Sequence, residues 1–318
     1  MKFSCDKYVL QQAAASAARA AAPKSPIAAL EGLLLEAGAD LRITGYDLKK
    51  AIYTNMEADI PEPGSVLVGA RLFCEMLRRM PDGVVTVEAE NGTVTVRCGR
   101  SSFNLVGMSA EDYPDLPSVE AENGVSLPQD LLKKMINECS FAVSTNESRP
   151  VYMGTLFEIA HNELTMVSVD GYRLALRREP VEGYGDDCSF IVPGTALSDL
   201  ERLCGDSDER VKMSVGSKHI SFTVGSTVIL SRRLEGDFLN YKKAIPESFR
   251  ITVKTARTDL LDVVERVSLI VDSKNNAPLR LTFRKDAIDF VSARGLAARQ
   301  GGRFLPVRGR RRRSRDWL

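Results

Sequence analysis

VLVGARLFCEMLRRMPDGVVTVEAENGTVTVRCGRSSFNLVGMSAEDYPDLP, residues 66–117, has an echo at residues 191–246, IVPGTALSDLERLCGDSDERVKMSVGSKHISFTVGSTVILSRRLEGDFLNYKKAIP. Each runs from a short apolar strand through a helix to alternating strands, and each closes on an acidic turn, a tyrosine (Tyr113 or Tyr241) and a proline. Just upstream, LLLEAGADLRITGYDLKKAI (33–52) is answered by TLFEIAHNELTMVSVDGYRLAL (155–176). The spacings from Asp47 to Asp170 and from Tyr113 to Tyr241 set a period of about 125 residues, too long for a solenoid unit and the size of a domain. A third copy opens near residue 250, with 69 residues of sequence left to hold it.

Within the first copy, residues 6–22 read as a helix with Asp6 as cap and Pro23 as stop. Strands are expected at 33–36, 40–45 and 50–60. A second helix over 69–80 places Leu72, Met76 and Leu77 on its core stripe and Arg71, Arg78 and Arg79 off it. Asn91-Gly92 between VVTVEAE and TVTVRCG is a two-residue hairpin signal, and FNLVGM (103–108) follows as the last strand. The second copy repeats the order, with helices over 129–142 and about 194–204. The third starts with a strand at 250–255, a helix at 256–271 and strands LRLTFR and AIDFVSA. The expected class is α+β: tandem domains, each of two helices backed by antiparallel sheets.

The total charge conceals an asymmetry. Residues 294–318 hold nine arginines, no lysine and one acid, so 43 less nine leaves 34 basic and 42 less one leaves 41 acidic residues in positions 1–293, a net of −7. In that acidic body the polar helix faces carry Lys7, Arg19, Arg71, Arg78, Arg79, Lys133, Lys134, Arg202, Arg257 and Arg266. Two readings of these positions stand side by side: contact with phosphates without base readout, or the solvated face of an amphipathic helix. No apolar run reaches the roughly 20 residues of a membrane span, and MKFSCDKYVL lacks the form of a signal peptide. Six cysteines without CxxC spacing and two histidines, His161 and His219, offer no metal or triad pattern. The expected setting is a reducing cytoplasm, with no cofactor and no metal. A phosphoryl-transfer enzyme would need clustered carboxylates for two metals, whereas Asp59, Asp112, Asp115, Asp170 and Asp237 are spread over separate repeats.

Five stretches in order, MKFSCDKYVL (1–10), KSPIAALEGLLLEA (24–37), GRSSFNLVGMSAEDYPDLP (99–117), SVDGYRLAL (168–176) and GDFLNYKKAIP (236–246), resemble the bacterial β sliding clamp family, the processivity subunit of DNA polymerase III. The likeness runs through residues 1–293 and divides them into clamp domains at 1–120, 126–246 and, in part, 250–293. It implies a non-catalytic head-to-tail homodimer whose helices surround duplex DNA without sequence preference. Lys24, Asn146 and Arg149 fall where the family's loops approach DNA, joining Arg71, Arg78, Arg79, Lys133, Lys134 and Arg202 on the helices. The resemblance also implies a cleft for short peptides of the polymerase catalytic subunit, the clamp loader and repair factors, walled by Tyr152, Val169, Gly171, Tyr172, Arg173, Leu174, Leu239, Lys243 and Ala244. Tyr152 and Leu239 stand where the family commonly has Leu and Pro. By itself SVDGYRLAL reads as a strand ending in an Asp-Gly turn. Phe103, Leu105, Ile270 and Val271 match the family's apolar seam between subunits.

From residue 294 the likeness stops, and the Arg-rich stretch is expected to be disordered. An out-of-frame reading of GC-rich coding sequence and a basic arm for nucleic acid are both open. With the third copy short, ring closure is expected to be weak or absent, and an adaptor that keeps part of the peptide cleft without encircling DNA is the alternative function.

Overall fold

The computed structural model describes residues 1–119, 123–184, 187–249, 251–269, 279–284, 287–293, 299–301 and 305–306, with backbone alone at 123, 182–184, 292–293, 299–301 and 305–306. The chain divides into two units, Met1–Phe238 and Leu239–Leu318.

The first unit holds two copies of one arrangement. In the first, β1 (Lys2–Asp6), α1 (Lys7–Ala17), β2 (Gly32–Ala37), β3 (Leu41–Tyr46), β4 (Lys50–Met56), β5 (Asp59–Glu62), β6 (Gly64–Gly69), α2 (Ala70–Arg79), β7 (Val84–Glu90), β8 (Thr93–Cys98) and β9 (Ser101–Met108) follow in order. The second has β10 (Asn123–Pro128), α3 (Gln129–Ser140), β11 (Gly154–Ala160), β12 (Glu163–Val169), β13 (Leu174–Pro180), β14 (Glu182–Tyr184), β15 (Cys188–Pro193), α4 (Gly194–Leu203), β16 (Arg210–Val215), β17 (His219–Val224) and β18 (Thr227–Arg232). The pairing repeats with the order: β1 lies between β5 and β7, and β10 between β14 and β16. Likewise β2 pairs β3 and β6, as β11 pairs β12 and β15.

Local chemistry accounts for most of these elements. Asp6 caps α1 by accepting from the Tyr8 and Val9 amides at 2.8 and 3.1 Å. The helix ends at Ala17, short of the expected residue 22, because its last turn tightens to an Ala20 N–H to Ala17 C=O bond of 2.9 Å. Directly beneath, a side chain at Gly45 would stand 2.0 Å from that Ala17 carbonyl oxygen, so only glycine lets β3 cross there. Asn91 and Gly92 take φ of +48° and +76°, the mirror-image turn that a two-residue hairpin requires. The strand expected over 50–60 is broken at Glu57 and Ala58 into β4 and β5. On α2, Phe73 and not Leu72 joins Met76 and Leu77: Phe73 is wholly buried, whereas Leu72 is 59% exposed.

Each repeat has its own core, and that of the second also takes in Ala20 and Ile52 of the first. Phe3, Leu10, Ala14, Leu35, Phe73 and Leu77 belong to the first, and Leu132, Ile136, Phe157, Leu197, Leu200 and Phe222 to the second. A fully buried Phe or Leu of this kind stabilises by about 1.5–3 kcal/mol. A third cluster, Ala29, Leu30, Tyr46, Ala51, Leu67, Tyr113 and Leu230, draws on both repeats. It forms because β18 pairs antiparallel with β4, Thr227 opposite Thr54 through Ser231 opposite Lys50, which makes one sheet of 14 strands across the boundary. Two polar links cross the same joint. The Thr54 and Thr227 hydroxyls bond at 2.9 Å, and Asp199 on α4 is ion-paired with Lys50 on β4 and lies 3.8 Å from Arg19.

The second unit has α5 (Tyr241–Ala244), α6 (Arg257–Ser268), β19 (Leu279–Phe283), β20 (Ala287–Ala293), β21 (Arg299–Gly301) and β22 (Leu305–Pro306). Val263, Val267, Ile288 and Phe290 form its small core. The strand expected at 250–255 is absent from its described residues: 251–253 and 255 carry no strand, and Lys254 makes an isolated bridge. Within 294–318, where disorder is expected, the described residues are β21 and β22, which pair with β20. Beside β19 on one edge, β20 offers on the other the backbone groups that these two segments satisfy. Residues 294–298, 302–304 and 307–318 lie outside the described residues.

Candidate nucleic-acid and peptide-binding surfaces

Amphipathic spacing places the basic residues, and packing sorts them. Arg78, Arg79, Lys134 and Arg202 stand exposed on α2, α3 and α4, opposite buried positions such as Leu77, Ile136 and Leu200. No ion pair engages these four among the described residues. Arg71 is exposed and lies 3.7 Å from Glu75, one helical turn on. Lys133 donates to Asp206 at 2.7 Å, which raises its pKa. Lys24 is exposed in the segment after α1, and Arg149 at the start of a short 3-10 turn. Asn146 is exposed, but its Oδ1 already accepts from the Ser148 amide and hydroxyl at 3.0 and 2.8 Å. Lys7 and Arg19 are drawn away from this set: Lys7 is buried beside Asp82 at 3.4 Å, and Arg19 faces Asp199.

The second surface is built on the β12–β13 turn. Asp170 Oδ1 accepts from the Tyr172 and Arg173 amides at 3.0 and 3.1 Å, and its Oδ2 accepts from Arg173 Nε at 2.8 Å. The Tyr172 amide bond leads in holding the Asp170 pKa below its usual value, with the Arg173 contacts adding to it. Gly171 takes φ of +94° with no atom within 4 Å of where a side chain would begin, so the glycine is required by backbone conformation and not by a close neighbour. Tyr172 is entirely exposed. The Arg173 guanidinium lies 5.5 Å from the Phe141 ring centre. Val169 is buried and Leu174 half-buried. Tyr152, on the 3-10 turn before β11, meets Phe238 edge-to-face at 5.5 Å and 85°. Leu239, Lys243 and Ala244 belong to the second unit, where each is exposed. Sequence reading overlooked Phe141 and Phe238; an aromatic residue a few positions from a turn carries no signal of its partner until the chain folds.

On the first repeat, Phe103 is 45% exposed on β9, and Leu105 is half-buried. Ile270 and Val271 lie outside the described residues. Among the described residues no cluster of three or more His, Cys, Asp or Glu side chains can hold a metal ion. No helix among them is long and apolar enough to cross a membrane. Burial pushes the Cys139 and Cys204 thiols up to about 11.

Residues 1–117 match the N-terminal domain, and residues 126–240 the central domain, of the DNA polymerase III beta subunit. The beta sliding clamp of Bacillus subtilis is 30% identical over 294 residues, which span 89% of this chain and 78% of the relative. The crystal structure of the B. subtilis DNA polymerase sliding clamp superimposes with a TM-score of 0.92 at 26% identity, covering 98% of this chain and 85% of that one. A DNA polymerase III beta subunit from Eubacterium rectale gives 0.93 at 25% identity over the same shares. With the repeats, their joint and these relatives in agreement, the chain belongs to the DNA polymerase III beta subunit family, the bacterial beta sliding clamps.

Proposed function

We propose that this chain is a DNA sliding clamp: a non-catalytic cytoplasmic subunit that keeps a replicative polymerase on duplex DNA and holds partner proteins by short peptides. The observation that carries this is a matched pair of strand edges. β18 spends its outer edge on β4, and Ile229, Leu230 and Ser231 are buried there. β9 is its counterpart in the first repeat. Along Ser101–Val106 it pairs only with β8 among the described residues, and Phe103 and Val106 are 45% and 81% exposed. An open edge carrying apolar side chains is a template for another strand. A further repeat added there would extend the sheet as β18 and β4 do within the chain, so Phe103 and Leu105 are assigned to the seam between copies. Association is expected to be weak, because the sequence likeness that supplies the seam gives way at residue 294 to a stretch with nine arginines against one acid.

The exposed Arg71, Arg78, Arg79, Lys134 and Arg202, with Lys24 and Arg149, suit phosphate contacts that position DNA without reading it. Lys133 and Asn146 contribute less, since each is engaged within the chain. The Asp170–Arg173 turn with Tyr152, Leu174 and the exposed Tyr172 suits an extended peptide anchored by apolar side chains. Polymerase, clamp-loader and repair subunits are the expected owners of such peptides. Retention on nicked circular DNA tests the reading: co-sedimentation with the circle at a constant, micromolar protein concentration should show bound chain, which should be released when the circle is cut. Peptide binding without any retention on circles would instead identify an adaptor.

A further inference from the structure

We propose that the cleft where the two repeats of the first unit meet is a second binding site, for a short acidic peptide bearing apolar side chains. The cavity has a volume of about 690 Å³, within the range that holds small ligands and a few peptide residues. Its apolar lining includes Pro150, Met153, Pro193 and Leu234. Lys49 and Arg232 are exposed at its margin, and Arg233 is half-buried in its wall.

The charges at this cleft do not balance. Four cations, Lys49, Lys50, Arg232 and Arg233, line it against two acids and the nearby Asp199, a surplus of one positive charge; of the acids, Asp47 is held by the Lys49 and Lys50 amides at 2.9 and 2.7 Å. Glu235 pairs with Arg232 at 3.1 Å. Lys50 is matched by Asp199. Lys49 and Arg233 have no carboxylate partner among the described residues; the Arg233 guanidinium donates to the carbonyls of Gly216, Ser217 and Ser189 at 2.8, 3.2 and 3.2 Å. The apolar lining and the surplus positive charge together select an apolar and acidic occupant. The sign excludes the chain's own residues 294–318, with nine arginines against one acid.

The wall also repeats the construction of the β12–β13 turn. Asp47 N–H donates to the Lys50 carbonyl at 3.2 Å, as Asp170 N–H does to Arg173 at 3.3 Å. Both aspartates cap two amides that follow, and the residue after each has positive φ, Leu48 at +69° and Gly171 at +94°. The peptide class leans on the parallel with the surface proposed above, whereas the cavity and its charge stand independently of it.

The full chain, labelled with ¹³C at methionine methyl groups, supplies a local reporter in Met153, assigned by comparison with Met153→Leu. Titration with acetyl-Leu-Glu-Leu-Asp-amide should shift that resonance saturably, and acetyl-Leu-Lys-Leu-Lys-amide should not. Lys49→Glu should weaken the acidic peptide by about tenfold, as should raising NaCl from ~50 to ~500 mM. Because Lys49 is exposed, the fold should survive the change; the salt series tests the same charge in the unaltered chain should it not. Tyr172→Ala, on the other surface, should leave the Met153 response intact. An unmoved Met153 resonance at millimolar peptide, equal responses to both peptides, insensitivity to charge and salt, or loss of the response in Tyr172→Ala would each overturn the assignment.

Discussion

Leu230→Ala should loosen the joint between the two repeats while leaving their separate cores intact. Leu230 is 7% exposed, stands opposite Ala51 across the β18–β4 pair, and packs in the cluster that both repeats share. Removing its branched end takes away the transfer energy of three carbons and leaves a void. The flanking Ala29 and Ala51 are short and fixed in the backbone lattice, so the void cannot collapse. Such Leu→Ala changes cost 2–5 kcal/mol, and about 3 kcal/mol is expected here. At roughly 1.4 kcal/mol per factor of ten, local opening becomes on the order of 100-fold more frequent. Native-state hydrogen exchange read by mass spectrometry on peptides spanning 50–56 and 227–232 should show that acceleration. Leu10→Ala and Leu200→Ala, in the first and second cores, serve as comparisons that should open their own repeats instead. Unchanged exchange in the two joint peptides would show that Leu230 does not hold the joint. Uniform acceleration across residues 1–238 would instead mean that the repeats open only as one body.

Three further outcomes follow from named contacts. Asp199→Asn removes the buried partner of Lys50, and with a hydrogen-bond acceptor retained the cost should be about 2–3 kcal/mol, a fall of several degrees in Tm; an unchanged melt would show that the ion pair contributes nothing net. Arg78→Glu with Arg79→Glu should weaken binding to any duplex and reduce the salt slope by about 0.9 for each phosphate no longer neutralised, at constant Tm because both residues are exposed; an unaltered slope would place DNA elsewhere. Cys139 and Cys204, held up to about 11 by burial, should be about 0.1% thiolate at pH 8 and so alkylate on the order of 100-fold more slowly in the native chain than in urea. Since the folded pKa is the higher one, these thiols favour folding below the unfolded value near ~8.5, and that contribution is lost as pH rises beyond it. The urea midpoint should therefore drop between pH 8 and pH 10, less so in Cys139→Ala; equal drops would show that the thiol plays no part.

Legibility in the sequence tracked the range of the interaction. The Asn91-Gly92 hairpin and the Asp6 cap were readable because each is decided within a few residues. The α2 stripe was off at one position: neighbouring helical residues stand about 100° apart, so both Leu72 and Phe73 border the apolar face, and packing chose the larger ring. The broken strand at Glu57 and Ala58 and the missing one near residue 253 reflect partners, or their absence, that alternation cannot report. Among candidate site residues, exposure of Arg78, Arg79, Lys134 and Arg202 followed from amphipathic spacing. The engagement of Lys133 with Asp206 and of Arg173 with Asp170 needed the folded geometry.

Repeats about 125 residues long, with helices, hairpins and turns in a fixed order, and membership of the sliding clamps are legible from the residues alone. Those facts are written in local patterns of period two and period 3.6, and in short turns whose chemistry acts on its own neighbours. The folded chain alone reveals that β18 joins β4, that Asp199 on one repeat holds Lys50 on the other, and that among the described residues β9 pairs along Ser101–Val106 with β8 only. A strand's edge presents the same amides and carbonyls whatever its side chains, so backbone hydrogen bonding does not choose its partner; that choice falls to side chains brought together from distant parts of the chain, Leu230 and Thr227 against Ala51 and Thr54 here.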